Sequence, residues 1–257
     1  MPRMNLEGSS SIVTGGASGI GEASARQLAA LGARVVIADL QEAPREGGRA
    51  THLEAAERHG HGATFVRCDV RVPASLEAAV EAAEAFGGVD VMVANAGVLK
   101  KRPLLEITEA DYAGLMDVNL KGALFSAQAA ARRMVPRGRG VIVMLASIAG
   151  LRGTGGYALY NASKGAVRLL TSSLADELGP HGVRVVSVCP GIIDTSMNVV
   201  DDPLIGTEAG ERYLDQIPLR RWGRVEEVAE AIVFLASDRA SYLTGTSLTI
   251  DGGYLRI

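Results

Sequence analysis

Cysteine is scarce in this chain of 257 residues: Cys68 and Cys189 are the only two, each at the end of an apolar run. That argues against a disulfide framework and suits small buried residues in a reducing compartment. Basic clusters are few as well. No basic block exceeds Lys100-Lys101-Arg102 and the formal net charge is -3, which speaks against a nucleic-acid binder, whose affinity rests on clustered Lys and Arg. No apolar run has the length needed to cross a bilayer. The stretch from Met1 to Gly8 leads into the first strand without the apolar core of a signal peptide. A cytoplasmic protein that engages neither nucleic acid nor membrane is expected. His52, His59 and His61 share one charged segment, but they lack an orderly ligand set and read as solvated surface, so no metal is expected.

What the chain does contain is apolar material. Hydrophobic residues make up 47%, enough for a sizeable core, and the length suits one large α/β domain or two small ones. Apolar runs predict strands over Ser10–Thr14, Arg34–Asp39, Ala63–Cys68, Val89–Ala94, Gly140–Ala146, Val183–Val188 and Ser247–Ile250. Helical spacing covers Glu22–Leu31, Ala50–Arg58, Pro73–Phe86, Glu109–Val135, Tyr157–Leu178 and Val225–Ala236. Between Ile192 and Gly223 the composition is mixed, with two prolines and no strong period, as in a lid or substrate loop. Alternating strands and helices imply a parallel sheet covered on both faces, with ligands outside the carboxyl ends of the strands.

At that edge the first feature is Thr14 to Gly21, T-G-G-A-S-G-I-G. Gly15, Gly19 and Gly21 depart from the common G-x-G-x-x-G spacing, yet the physics is the same. Glycines let the backbone turn sharply against a pyrophosphate, and the following helix points free N–H groups at it. Asp39 ends the second strand about twenty residues on, where a carboxylate can accept hydrogen bonds from a ribose and repel the extra phosphate of NADP. No Arg or Lys lies in the glycine turn or just after Asp39, which favours NAD. Small residues at Asn95-Ala96-Gly97 suit backbone lying against a cofactor. Asn119, a mediocre interior helix residue, points to a local distortion or a polar task.

The second feature is Ser147 to Lys164, S-I-A-G-L-R-G-T-G-G-Y-A-L-Y-N-A-S-K. Tyr160 and Lys164 share a helix face one turn apart. A phenol with a pKa near 10 is a poor base at neutral pH, and a fixed ammonium nearby favours the phenolate. Ser147 could hydrogen-bond the same substrate oxygen. Tyr157 is followed four residues later by Asn161 rather than Lys, so its expected place is the wall of a substrate pocket.

Together these motifs resemble the short-chain dehydrogenase/reductase family over essentially the whole chain. T-G-G-A-S-G-I-G, Asp69-Val70, N-A-G at Asn95 to Gly97, Asn119 in V-N-L, Ser147, Y-N-A-S-K and Pro190-Gly191 match in order and spacing. The resemblance implies one Rossmann-type doubly wound α/β domain over residues 1–257, with a seven-stranded sheet in the order 3-2-1-4-5-6-7. It implies Tyr160 as acid/base, Lys164 as the group that lowers its pKa and binds the nicotinamide ribose, Ser147 as the substrate-oxygen donor, and Asn119 as holder of a proton-relay water. The cofactor would be met by Gly15, Ser18, Gly19, Ile20 and Gly21, by Asp39 and Leu40, and by Asp69 and Val70 at the adenine. Asn95, Ala96, Gly97, Pro190, Gly191, Ile193 and Thr195 would complete its site. A homotetramer is implied too.

The expected activity is NAD-linked interconversion of a secondary alcohol and its ketone. An NADPH-dependent 3-oxoacyl-type ketoreductase is the alternative within enzymes, opposed by Asp39. A non-catalytic NAD sensor would be expected to lack Tyr160, Lys164 or Ser147. Candidate pocket residues are Ile148, Leu151, Arg152, Thr154, Tyr157, Ile192, Met197 and Trp222, and Arg152 leaves open either an anionic substrate or a surface salt bridge. Cys189 reads as a packing residue.

Overall fold

The computed structural model describes residues 6–59 and 62–256, without the side chains of residues 55, 56 and 59. Seven strands form one sheet in the order β3-β2-β1-β4-β5-β6-β7. They are β1 (Ser10–Thr14), β2 (Arg34–Asp39), β3 (Ala63–Arg67), β4 (Val91–Ala94), β5 (Gly140–Leu145), β6 (Val183–Pro190) and β7 (Ser247–Ile250). Every pairing is parallel. Successive side chains of a strand point to opposite faces, and both faces are apolar here. In β5, Ile142 and Met144 enter one buried cluster while Val141 and Val143 enter the other.

The helices are α1 (Gly19–Ala30), α2 (Thr51–His59), α3 (Pro73–Glu84), α4 (Glu109–Met116), α5 (Ala123–Met134), α6 (Ala158–Leu178), α7 (Glu208–Leu214) and α8 (Val225–Ala236). One face of the sheet packs against α3, α5 and α6 through Leu76, Val80, Met134 and Val167. The other packs against α1 and α8 through Leu28, Val228 and Ile232. With both faces covered, the inner strands are buried at nearly every position rather than at alternate ones, as expected of a parallel sheet.

Three expectations are corrected. The helix expected over Glu109–Val135 is two helices joined by a π-helical turn, Asp117–Gly122, centred on Asn119. The unpatterned Ile192–Gly223 contains a second such turn, Met197–Asp201, and α7, where Thr207 caps the helix by accepting from Gly210 N. His52 is not solvated surface: its ring lies tilted against Phe65, with centroids 6.2 Å apart, and Nε2 is 3.3 Å from Glu42. His61 and the His59 side chain lie outside the described residues. No described group of His, Cys, Asp and Glu could hold a metal ion, and no described helix is long and apolar enough to cross a membrane.

Candidate active site

The strand order reverses between β1 and β4, which opens a crevice at their carboxyl ends. Thr14 and Asn95 hold this point together. Thr14 Oγ1 accepts from the backbone N–H of Asn95 at 3.0 Å and of Ala96 at 3.2 Å. Asn95 Nδ2 donates to the carbonyls of Thr14 at 2.9 Å and Gly15 at 3.0 Å. The turn that results admits only glycine: Gly15 has φ +62°, and a Cβ on Gly21 would stand 2.0 Å from the Gly15 carbonyl oxygen. Ser18, at the N-cap of α1, makes no capping bond; its hydroxyl accepts from Arg45 N at 2.8 Å instead. An uncapped helix N-terminus keeps donors for an anion.

A cavity of about 660 Å³ runs along this edge, and every residue assigned to the cofactor from the sequence is on its wall. Asp39, at the tip of β2, accepts from Ala17 N at 3.0 Å, which ties it to the glycine turn. Asp69 is gripped by Arg71, whose guanidinium lies as close as 2.6 Å and holds the carboxyl below its ordinary range. Pro190-Gly191 is fixed from behind, with Gly191 N donating to Ile250 O at 2.8 Å. Ile193 pairs with Gly223 across the base of the loop.

Tyr160 and Lys164 project from the first two turns of α6, and Ser147 follows β5 by two residues. The Lys164 ammonium donates to Leu145 O at 2.8 Å and sits 5.8 Å from the centre of the Tyr160 ring. Lys164 is 4% exposed, and burial pulls its pKa from 10.5 down to about 8. Burial pushes the Tyr160 phenol up, with the Ser147 hydroxyl pulling the other way. The expected lowering of the phenol by the ammonium is therefore not the dominant effect here. Enclosure by protein, which disfavours both charged forms, prevails.

Asn119 is 1% exposed and is not on the cavity wall. Its Oδ1 accepts from Val98 N at 2.8 Å, and its Nδ2 donates to Val98 O at 2.9 Å and Ser163 Oγ at 3.2 Å. The side chain thus joins the segment after β4 to α6, one residue before Lys164.

The profile of the enoyl-(acyl carrier protein) reductase family matches residues 15–255. L-rhamnose 1-dehydrogenase (NAD(P)(+)) of Azotobacter vinelandii is 43% identical over 94% of this chain and 94% of its own length. The chain belongs to the short-chain dehydrogenase/reductase family. Cis-4-hydroxycyclohexanecarboxylate dehydrogenase of Sinomonas cyclohexanicum is 42% identical over 96% of both chains. The crystal structure of a short-chain type dehydrogenase/reductase from Mycobacterium marinum superposes with a TM-score of 0.89 at 35% identity, covering 98% of this chain and 97% of that one.

Members of the short-chain dehydrogenase/reductase family work with a nicotinamide cofactor, and the residues present fit one. A Cβ on Gly19 would point towards Thr195 at 3.4 Å, and one on Gly97 would lie 3.5 Å from both Lys164 Nζ and Asn119 Oδ1. The hydrogens of these glycines thus leave room beside the groups a dinucleotide would meet. The structure also adds residues that sequence reasoning missed. Arg45 and Glu46 reach the cavity from the segment after β2, and Tyr213, Tyr254 and Leu255 line its far end. The Arg45 guanidinium grips Asp201 of the 192–223 segment at 2.6 and 2.8 Å. Tyr254 and Leu255 arrive because Asp251 accepts from Gly253 N and Leu255 N, both at 2.8 Å. The Asp-Gly-Gly sequence was the available signal for that turn.

Of the expected pocket residues, Ile148, Arg152, Thr154, Tyr157, Ile192 and Met197 line the cavity, whereas Leu151 and Trp222 do not. Leu151 packs against the core under α6. The hydroxyl of Tyr157 donates to Asp202, and burial with that carboxylate drives its pKa far up, so it stays a phenol. Cys189 is buried in the core, where desolvation raises its thiol.

Proposed function

We propose that this chain is an NAD-linked dehydrogenase/reductase in which Tyr160 exchanges a proton with the oxygen of a secondary alcohol or its ketone. The chain is an oxidoreductase acting on the CH–OH group of its substrate, and the finer assignment rests on the arrangement around α6. A bound nicotinamide supplies the hydride acceptor or donor. In oxidation Tyr160 Oη takes the hydroxyl proton, and in reduction it returns one; Ser147 Oγ orients the same oxygen. Lys164, protonated below a pKa of about 8, supplies the positive charge that the phenolate form needs. Asn119 keeps Lys164 and the Gly97 backbone in register through Val98 and Ser163. Gly15, Ser18 to Gly21, Asp39, Leu40, Asp69, Val70, Asn95 to Gly97, Pro190, Gly191, Ile193 and Thr195 hold the dinucleotide.

The preference for NAD rests on one observation. Asp39 lines the adenosine end, while both arginines there are already paired, Arg45 with Asp201 and Arg71 with Asp69. A 2′-phosphate would meet a carboxylate and two neutralised cations. The same reading comprises one dinucleotide-binding domain spanning the chain with residues 192–223 as its lid, a cytoplasmic location and a homotetramer. Exposed Tyr112 on α4 and Leu169 on α6 give the assembly an apolar face to bury.

The test compares Tyr160→Phe with the native protein on a panel of secondary alcohols, followed by cofactor absorbance. Turnover is expected to vanish while NAD binding, read by calorimetry, persists. Retained turnover in the variant would overturn the mechanism, and a higher kcat/KM with NADP would overturn the cofactor assignment.

A further inference from the structure

Resting on the proposed alcohol oxidation, we infer that the substrate carries a carboxylate and that Arg152 binds it. The charged side chains lining the cavity are nearly all committed to protein partners. Arg45 is held by Asp201 and Arg71 by Asp69, and Lys164 donates to the Leu145 carbonyl. Arg152 is the exception. It lies on the cavity wall five residues after Ser147, and among the described residues its guanidinium has no hydrogen-bond or ion-pair partner. It lies over the Tyr254 ring instead, with Cζ 5.5 Å from the ring centre, within cation–π range.

That contact orients the group without using its donors. Tyr254 is buried and in turn rests against Tyr213, with ring centroids 6.1 Å apart, and all three residues line the cavity. A cation–π contact with an aromatic face spends none of an arginine's N–H donors, so its fork can still take a carboxylate in two parallel bonds. The carboxylate on the same wall, Asp202, already accepts the Tyr157 hydroxyl. A substrate anion therefore meets an unspent cation and a carboxylate that has a partner. The aromatic pair supplies an apolar surface beside the anion for the carbon skeleton. A secondary alcohol that also carries a carboxylate matches a cavity lined by both Tyr160 and Arg152.

The experiment uses hydroxy acids with linear and cyclohexane spacers, each paired with its primary carboxamide, which keeps the shape and removes the charge. NAD-linked oxidation is measured for the native protein and for Arg152→Gln, and binding of each pair to the protein–NADH complex is measured by calorimetry. The native protein should favour the acid over its amide by about tenfold or more in at least one pair, chiefly through KM, and added salt should narrow the gap. In Arg152→Gln the ratio should fall to about one. Equal use of acid and amide by the native protein overturns the inference, as does a loss in Arg152→Gln shared equally by both. If no alcohol is oxidised, the proposed function fails and binding decides the charge preference alone. Tighter binding of acids that Arg152→Gln abolishes then supports the anion site, and equal binding refutes it.

Discussion

Replacing Lys164 with Met should make the cofactor-free protein more stable while ending its activity. The ammonium is 4% exposed and has no carboxylate partner in the described structure. Burial takes its pKa from 10.5 to about 8, so keeping it charged in the fold costs about 3 kcal/mol. Methionine has similar length and no charge to desolvate, but it forfeits the bond to Leu145 O, a loss of about 1–2 kcal/mol. A net gain of about 1–2 kcal/mol remains, equivalent to roughly 2–8 °C in Tm for a chain of this size.

The pH dependence identifies the cause. Below pH 8 the lysine is protonated both folded and unfolded, so the full advantage of Met is present. Between about 8 and 10.5 the folded protein sheds the proton while the unfolded chain keeps it. The unfolded state then binds more protons, native stability rises with pH, and the advantage of the variant closes. Urea denaturation of both proteins at pH 6.5, 8 and 10 measures this difference. A variant less stable than the native protein at pH 6.5, or a difference that does not change with pH, would refute the reasoning. The site would then hold its lysine at no cost.

The raised Tyr160 phenol implies that the neutral form dominates near pH 7. Ketone reduction should hold its rate there, while alcohol oxidation climbs on the alkaline side; parallel pH–rate profiles would show it. Asn119→Ala removes three hydrogen bonds at a buried position, and should cost about 2–4 kcal/mol in denaturant unfolding. It should lower kcat more than it raises the Kd for NAD. Gly97→Ala places a methyl in ordinary contact with Lys164 and Asn119, so the fold should survive by circular dichroism while NAD affinity falls at least tenfold. Asp201→Asn frees Arg45 at the adenosine end, and should raise kcat/KM for NADP relative to NAD in side-by-side assays.

Tyr160, Lys164 and the glycine turn could be read without a fold because each depends on neighbours close in sequence. A helix sets Tyr160 and Lys164 on one face, and a turn sets Gly15 against Gly21. Asn119 was harder. Its poor fit to a helix interior was visible as a flaw, and the π-helical turn is that flaw in three dimensions. Its partners, Val98 and Ser163, are 21 and 44 residues away, so no local pattern could name them.

What the sequence by itself determined was the alternation of apolar strands and amphipathic helices, the glycine turn and the acid at the end of β2. These follow from backbone sterics, from continuous apolar runs and from a period of 3.6 residues. Tertiary structure decided which charges remain unspent. Arg45 and Asp201 are 156 residues apart and neutralise each other, whereas Arg152, as basic in sequence as any arginine, has among the described residues only the Tyr254 ring beside it. Burial decided the rest, because the pKa of a lysine or a phenol depends on the protein packed around it. Desolvation is a property of the assembled interior, and no single segment carries it.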